Sequence, residues 1–384
     1  MSLYKLNQII KNIYNNNFST KNHFLEITKK QKFIIWGYGE AYWAFSRSVM
    51  EFLKVKPDFI IDKKFKYKKE VKKNSPRLIY EWNDNKKNSF HYVVCTGFKK
   101  NFNEIKKELI NNGIENKRII WVLDIYEFNI HHWHKKYASE PKNFIKEIKN
   151  IKKTYNLLND TISKKVFLSI LDIYTSHKTI RIKHSNHKQY FPKNLFDKKN
   201  YQNIINCGAF DGDTFKIYMD KFKNEFKKAL LIEPDKKNFL KLKENIKRYR
   251  INTKKQNLVS LNLALSNKKE VLLFDQNKGL SSEVKKKGTN LKKIKTDTLD
   301  NLLYKNNDNW YLILDTEGHE KKILVGAKKL ISKNRLNLAV SVYHRVDDLW
   351  NILIYLKKIN KKFKFYLKNY SGFSYETILY AKIK

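Results

Sequence analysis

The 384-residue chain carries 80 Lys and Arg against 37 Asp and Glu, a formal net charge of +43. Plentiful aliphatic and aromatic residues with few Gly and Pro exclude a disordered or fibrous chain, and no stretch has the charge-free apolar length of a membrane span. The length fits two domains, each large enough to bury its own core.

The N-terminal MSLYKLNQIIKNIYNNN intersperses apolar residues with Lys and Asn and has no continuous hydrophobic region, so secretion is not expected. Cys95 and Cys207 both lie inside strand-like apolar runs. A disulfide framework and a Cys-based zinc site have no support, and a reducing cytoplasm is the expected compartment. The basic residues are spread along the whole chain rather than gathered in one stripe. They read as solvated faces, not as a specific nucleic-acid surface, with peripheral attraction to an anionic membrane surface left open.

From Lys32 to about Tyr126 apolar runs alternate with amphipathic segments, which predicts a small Rossmann-like α/β domain over residues 1–130. Its strands are KFIIWG, PDFIID, FHYVVCTG and RIIWVLD. Gly37-Tyr38-Gly39-Glu40 follows the first strand and Asp62 ends the second, a nucleotide-fold spacing, although Tyr42 occupies the third Gly position of that fingerprint. A degenerate scaffold is the competing reading. His131, His132 and His134, with Trp133 among them, form a local cluster that suits a polar surface better than a metal site.

Residues 131–200 lack the alternation. FIKEIKNIKKTYNLL and SKKVFLSILDIYTSH have helical spacing and predict a helical connector. From residue 201 to 384 the alternation resumes with YQNIINCGA, KKALLIEPD, NLVSLNLAL, EVLLFD, WYLILDTEG, LNLAVSVYH, FKFYLKNY and ETILYAKI as strands. The last two are separated by a short SGFSY turn, which predicts an antiparallel hairpin at the edge of the sheet.

The chemistry concentrates in this second domain. After QNIIN come Cys207, Gly208, Ala209, Phe210, Asp211, Gly212, Asp213 and Thr214, where Gly lets the backbone approach a ligand beyond the strand's carboxyl end. Glu233 ends the next strand about 25 residues later, the distance at which an acid accepts hydrogen bonds from ribose hydroxyls. This combination predicts an adenosine-containing cofactor. Asp211 and Asp213 would repel a pyrophosphate but attract the ammonium and sulfonium of a methionine, which favours S-adenosylmethionine; capping of the following helix is their alternative role.

The segments IINCGAFDGDT, LIEPDKKNFLKLKENI, LILDTEGHEKKILVGA and SVYHRVDDLW, in this order, resemble the FkbM family of methyltransferases, from about Gln189 to the C-terminus. The resemblance implies the class I methyltransferase fold, a seven-stranded sheet with one antiparallel strand, and transfer of a methyl group to hydroxyls of sugars and natural products. Position by position it implies that Gly208, Ala209, Asp211 and Gly212, with Phe210 in the same turn, hold the cofactor and that Glu233 binds its ribose. Asn262 and Ala264 fall where an adenine-contacting loop is expected. Asn206 stands where the family often has Asp. Tyr190 and Phe191, in the lead-in Gln189-Tyr190-Phe191-Pro192, are expected either to wall the pocket or to pack in the core.

O-methylation needs the acceptor oxygen held in line and a base for its proton. Asp315 and Glu317, at the end of strand WYLIL, and His344, at the end of the next strand, are the expected catalytic residues, with His344 as base or acceptor-orienting group. Glu317 and Glu320 also favour the start of a helix through its dipole. A divalent ion on Asp315, Glu317 and His344 is a lesser alternative, and no metal is expected. The resulting expectation is a cytoplasmic O-methyltransferase acting on a sugar hydroxyl in surface glycan or capsule biosynthesis. RNA methylation and a non-catalytic assembly protein are the rivals, and an oligomer remains open.

Overall fold

The computed structural model describes residues 2–15, 32–62, 88–125, 142–176, 182–222, 225–249, 257–275, 291–303, 308–333 and 335–383. The chain divides into two compact units. One comprises residues 3–146 and 171–181, the other 147–170 and 182–384.

The first unit opens with α1 (Ser2–Tyr14) and contains β1 (Lys32–Trp36), α2 (Glu40–Phe45), β2 (Phe59–Ile61), β3 (Phe90–Val94), α3 (Lys99–Asn111) and β4 (Ile119–Trp121). The strands form a parallel sheet in the order β2-β1-β3-β4. All four expected strands are present. The fourth is shorter than RIIWVLD, because the chain leaves Trp121 in a tight turn over Val122–Asp124. Helix α3 places Phe102 and Leu109 on one buried face, and Phe102 stacks on Trp121 with ring centroids 5.2 Å apart. The expected cluster His131, His132 and His134 lies outside the described residues.

Two helices follow, α4 (Lys142–Leu157) and α5 (Thr161–Ser176). They were expected as a separate connector over 131–200. Instead they divide between the two units, because the stretch joining them has work in the second sheet. Asn159 N–H donates to Phe365 O, Asn159 Oδ1 accepts from Phe365 N–H, and Ser163 Oγ accepts from Leu367 N–H. These bonds cover an edge strand that would otherwise expose unpaired backbone.

The second unit contains β5 (Asn203–Cys207), α6 (Asp213–Phe222), β6 (Lys228–Ile232), α7 (Lys236–Arg248), β7 (Leu258–Leu261), β8 (Ala264–Leu265), β9 (Val271–Asp275), β10 (Leu291–Asp297), α8 (Leu299–Leu302) and β11 (Trp310–Leu314). It continues with α9 (Glu320–Val325), α10 (Lys328–Ser332), β12 (Leu336–Ser341), α11 (Asp348–Ile359), β13 (Phe363–Asn369) and β14 (Thr377–Ile383). Seven strands form the main sheet in the order β13-β14-β12-β11-β5-β6-β7. Strand β14 runs antiparallel to both neighbours, and the other pairings are parallel. This is the class I methyltransferase sheet with its terminal hairpin.

Burial follows position in the sheet. Central β11 is buried along its whole length, as a parallel strand covered on both faces requires, while β13 alternates buried and half-buried residues. Two departures from the expected elements concern the third strand. NLVSLNLAL is not continuous: it breaks at Asn262 and Leu263 into β7, in the main sheet, and β8, in a separate sheet of order β8-β10-β9. The break has a local cause, since Asn262 Nδ2 donates to the carbonyls of Glu233 and Pro234 and ties the chain to the end of β6. Strand β10, with the sequence LKKIKTD, was not anticipated.

Candidate active site

The main sheet brings four chain segments to the carboxyl ends of its parallel strands. The first is the turn after β5. Gly208 has φ +79°, and a Cβ on it would lie 1.9 Å from Asp315 O, so only glycine permits this approach of the ends of β5 and β11. Gly208 N–H and Ala209 N–H both donate to Ile232 O at 3.0 Å. Gly212, at φ +92°, packs its Cα against Leu242 before α6 begins. Asp213 starts that helix, and its Oδ1 accepts from Thr214 N–H at 2.6 Å, so it takes up part of the expected capping role. Asn245 Nδ2 donates to Asp211 O and fixes the far side of the turn.

The second segment is the end of β6. The Glu233 carboxylate is buried and braces the turn, with Oε2 accepting from Phe210 N–H and Oε1 from Asp235 N–H, each at 2.8 Å. Burial pushes its pKa up to about 7, against the two backbone donors, which favour the anion. Asn262 serves as a tie between loops, and Ala264 is buried at the start of β8.

The third and fourth segments follow β11 and β12. Asp315 N–H continues the ladder to Cys207 O at 3.1 Å, which sets the Asp315 carboxylate beside the turn. Its Oδ2 accepts from Tyr190 Oη at 2.5 Å, and its Oδ1 lies 3.4 Å from His344 Nε2 and 3.5 Å from Tyr343 Oη. Glu317 Oε2 is 3.7 Å from the same His344 nitrogen. On the other face of the ring, His344 Nδ1 bonds Glu320 Oε1 at 2.9 Å, and that oxygen also accepts from Thr316 N–H. Burial works to lower the His344 pKa, but the charges of Glu320, Asp315 and Glu317 outweigh it and hold the ring up at about 10. Conversely, burial works to raise Glu320, and His344 holds it below its ordinary value. His344 and Glu320 thus form a buried ion pair at neutral pH. Asp348, also buried, is kept well above the carboxylate range by burial and then by the neighbouring Glu320 charge.

The structure therefore brings Asp315, Glu317 and His344 together but changes the expected part of His344. An imidazole that already carries its proton is not a proton acceptor, so of its two expected roles the orienting one fits. Donor atoms of Asp315, Glu320 and His344 lie within 4.8 Å of one another, close enough to bracket a divalent ion. The His344 proton supplies positive charge at that place without one.

Two further residues enter the site: Tyr190, one of the two lead-in aromatics expected either to wall the pocket or to pack in the core, and Glu376, which the sequence did not flag. Tyr190 reaches Asp315 from the lead-in segment, whereas its neighbour Phe191 is core, packed among Tyr201, Tyr218, Phe222 and Tyr311. Glu376 precedes β14. Because that strand is antiparallel, its first residues lie at the carboxyl ends of the others, with Ile378 opposite Ser341. Backbone conformation marks the same place: Tyr190, Phe210, Glu317 and Glu376 all have positive φ, between +47° and +66°. Each such non-glycine residue costs on the order of 1 kcal/mol, and strain of this kind gathers at functional sites.

The turn of the first unit has a related design. Gly37, at φ +104°, sits against Cys95 O, and Tyr38 N–H donates to Asp62 Oδ2 at 2.7 Å, as Phe210 does to Glu233. Tyr42 is buried in the position of the missing glycine. Cys95 and Cys207 are buried free thiols, each with its pKa pushed up by burial.

The sheet order, the glycine turn and the acid at the end of β6 are those of the class I methyltransferase fold. Residues 206–368 match the family described as the methyltransferase FkbM domain. In fold, the whole chain is similar to the crystal structure of methyltransferase FkbM from Methylobacillus flagellatus KT, with a TM-score of 0.70, 15% identity and 100% of both chains covered. Weaker likenesses include the methyltransferase domain of bacterial CtHen1, at TM-score 0.30 and 11% identity over 48% of this chain and 92% of that one. Another is a SAM-dependent methyltransferase from Aquifex aeolicus, at TM-score 0.28 and 12% identity over 49% of this chain and 87% of that one. The sequence matches none of the curated proteins compared with it. Among the described residues, no helix is long and apolar enough to cross a membrane.

Proposed function

We propose that the protein O-methylates a hydroxyl of an uncharged sugar during surface glycan or capsule biosynthesis. The observation that carries this reading is the gathering of carboxyl groups around Asp315, which outnumber the His344 cation set against them. In a chain of net charge +43, the groups gathered beside the cofactor turn are the carboxyls of Asp213, Asp315, Glu317 and Glu376. Carboxylates accept hydrogen bonds from the several hydroxyls of a sugar ring and repel phosphate. RNA is the acceptor they suit least.

The turn fits the cofactor. Gly208 leaves the room a Cβ would fill, Glu233 stands ready for ribose hydroxyls, and Asp211 and Asp213 carry the charge that attracts an ammonium and a sulfonium. Asn206, buried beneath the turn, has an amide nitrogen with no hydrogen-bond partner among the described residues. When bound, S-adenosylmethionine supplies an activated methyl group. Gly208, Ala209, Phe210, Asp211, Gly212 and Glu233 are the residues assigned to hold it, with Asn262 and Ala264 bordering the adenine side. Asp315 takes the acceptor hydroxyl as a hydrogen-bond donor, in an orientation fixed by Tyr190. The His344 imidazolium holds Asp315 and Glu317 in place.

A cytoplasmic location belongs to the proposal and agrees with the two free thiols. The basic surface would hold the enzyme near anionic lipid. The test incubates the protein with methyl-labelled S-adenosylmethionine and separate glycan, RNA and protein fractions from cells lacking the gene. Label in a neutral glycan fraction supports the reading. Label in RNA alone, or in nothing, refutes it.

A further inference from the structure

We propose that Glu376 is the general base of the reaction, removing the proton of the acceptor hydroxyl held beside Asp315. The proposal rests on the methyltransferase reading above but not on which hydroxyl compound is the acceptor.

The other candidates are poorly placed for the task. His344 is already an imidazolium. Asp315 is surrounded by donors: Tyr190 Oη on one oxygen, His344 Nε2 and Tyr343 Oη near the other. Burial raises the Asp315 pKa, but these donors favour its anion and already engage both of its oxygens, which leaves neither free to take the acceptor proton. Glu317 faces the same His344 nitrogen.

Glu376 differs in its hydrogen bonding. Its Oε2 accepts a single hydrogen bond, from Gln189 Nε2 at 2.5 Å, and its other oxygen has none among the described residues. Its side chain is half-buried, as those of Asp315 and Glu317 are. Gln189 Nε2 also donates to Tyr190 Oη at 3.1 Å, and Tyr190 donates to Asp315. One chain of hydrogen bonds therefore holds the orienting carboxylate and the proton-accepting carboxylate in fixed relation. The charged groups that bear on Glu376 come from three elements: Asp315 after β11, His344 after β12 and Asp213 at the start of α6. Burial, then repulsion from Asp315, raises its pKa to about 7, where a base both ionises at neutral pH and accepts a proton readily.

The backbone points the same way. Glu376 has φ +52° at a tight approach to β14, where glycine or asparagine would be easier to accommodate. A long acidic side chain at such a position is a cost the fold carries for the carboxylate.

The step balances without any further reactant. A lone pair of the acceptor oxygen forms the new O–CH3 bond while the methyl–sulfur pair stays on sulfur, which becomes neutral. The O–H pair remains on oxygen, and the proton passes to Glu376 and then to water.

The test compares wild type with Glu376→Gln and Glu376→Asp in single-turnover methyl transfer, using labelled S-adenosylmethionine and whichever fraction the wild-type enzyme labels. Glu376→Gln is expected to lose about 100- to 1,000-fold in rate with little change in acceptor KM, in line with the worth of a positioned base. Its affinity for S-adenosylmethionine by calorimetry should match wild type, which also shows that it is folded. The wild-type rate should rise through about pH 7, and the Gln variant should lack that rise. Glu376→Asp should recover part of the rate and the pH dependence. A Gln variant with the wild-type rate and profile, or one altered only in KM, overturns the proposal while leaving the enzyme reading intact. A wild-type protein that labels no acceptor overturns both.

Discussion

Replacing Gly208 by alanine tests the geometry on which the site is built. The added Cβ would stand 1.9 Å from Asp315 O and 3.0 Å from its carbonyl carbon, so the β11 backbone must retreat by about 1.1 Å to reach the shortest contact that real Cβ atoms show. The retreat pulls on the hydrogen bond from Asp315 N–H to Cys207 O. Strain at φ +79° costs about 1 kcal/mol, overpacking against backbone about 1–3 and a weakened ladder bond about 1, together about 3–5 kcal/mol. In a domain of this size that lowers the midpoint of thermal unfolding by about 6–20 °C. Thermal unfolding followed by tryptophan fluorescence measures this shift, and urea unfolding measures the loss in free energy. Two other glycines calibrate the result. In Gly212→Ala the close atom is Leu242 Cδ1 at 2.9 Å, the movable end of a side chain, so the loss should be smaller. Gly39→Ala meets nothing within 4 Å and should change stability by less than about 0.5 kcal/mol. A Gly208→Ala protein as stable as Gly39→Ala would refute the close approach of β5 and β11.

Glu233→Ala removes a charged acceptor worth roughly 1.5–3 kcal/mol per hydrogen bond, and calorimetry should show about 10- to 100-fold weaker S-adenosylmethionine binding. Because the Glu233 pKa is raised to about 7, cofactor affinity should fall as pH drops through about 7 in wild type and not in Glu233→Gln; equal affinities on both sides would contradict the ribose role. His344 lies above its unfolded value, so its stabilisation is complete below about pH 6.5 and is lost as pH rises through about 10. Urea midpoints of wild type and His344→Gln should accordingly converge over that range, and a constant difference would rule out the buried ion pair with Glu320. Methyl transfer should persist after EDTA treatment; its loss, with recovery on adding a divalent ion, would assign Asp315, Glu320 and His344 to a metal instead.

The parts of the fold that were legible in the sequence are those fixed by local pattern. β5, β6, β11 and β12 are apolar runs because both faces of a central parallel strand are covered, and the glycine turn and Glu233 stand at fixed offsets from strand ends. β10 escaped because four of its seven residues, in LKKIKTD, are charged: it lies in the small sheet rather than the core layer. NLVSLNLAL reads as one strand until the Asn262 amide is seen to tie the chain to the end of β6. Glu376 and Tyr190 carry no spacing signal relative to Asp315, since an antiparallel strand and a lead-in loop deliver them from distant sequence. The charge of His344 was hidden for a related reason. It depends on Glu320, whose position at the start of α9 suggests a helix-dipole role until the packed structure sets it against the ring.

The most direct measurement is mass spectrometry of glycans from cells that lack the gene, complemented with wild type or with Asp315→Ala. Wild-type complementation should add one O-methyl group to a neutral sugar, and the Asp315 variant should not. Glycans identical in all three, with a methyl group missing from RNA instead, would contradict the assignment of this site to a sugar hydroxyl.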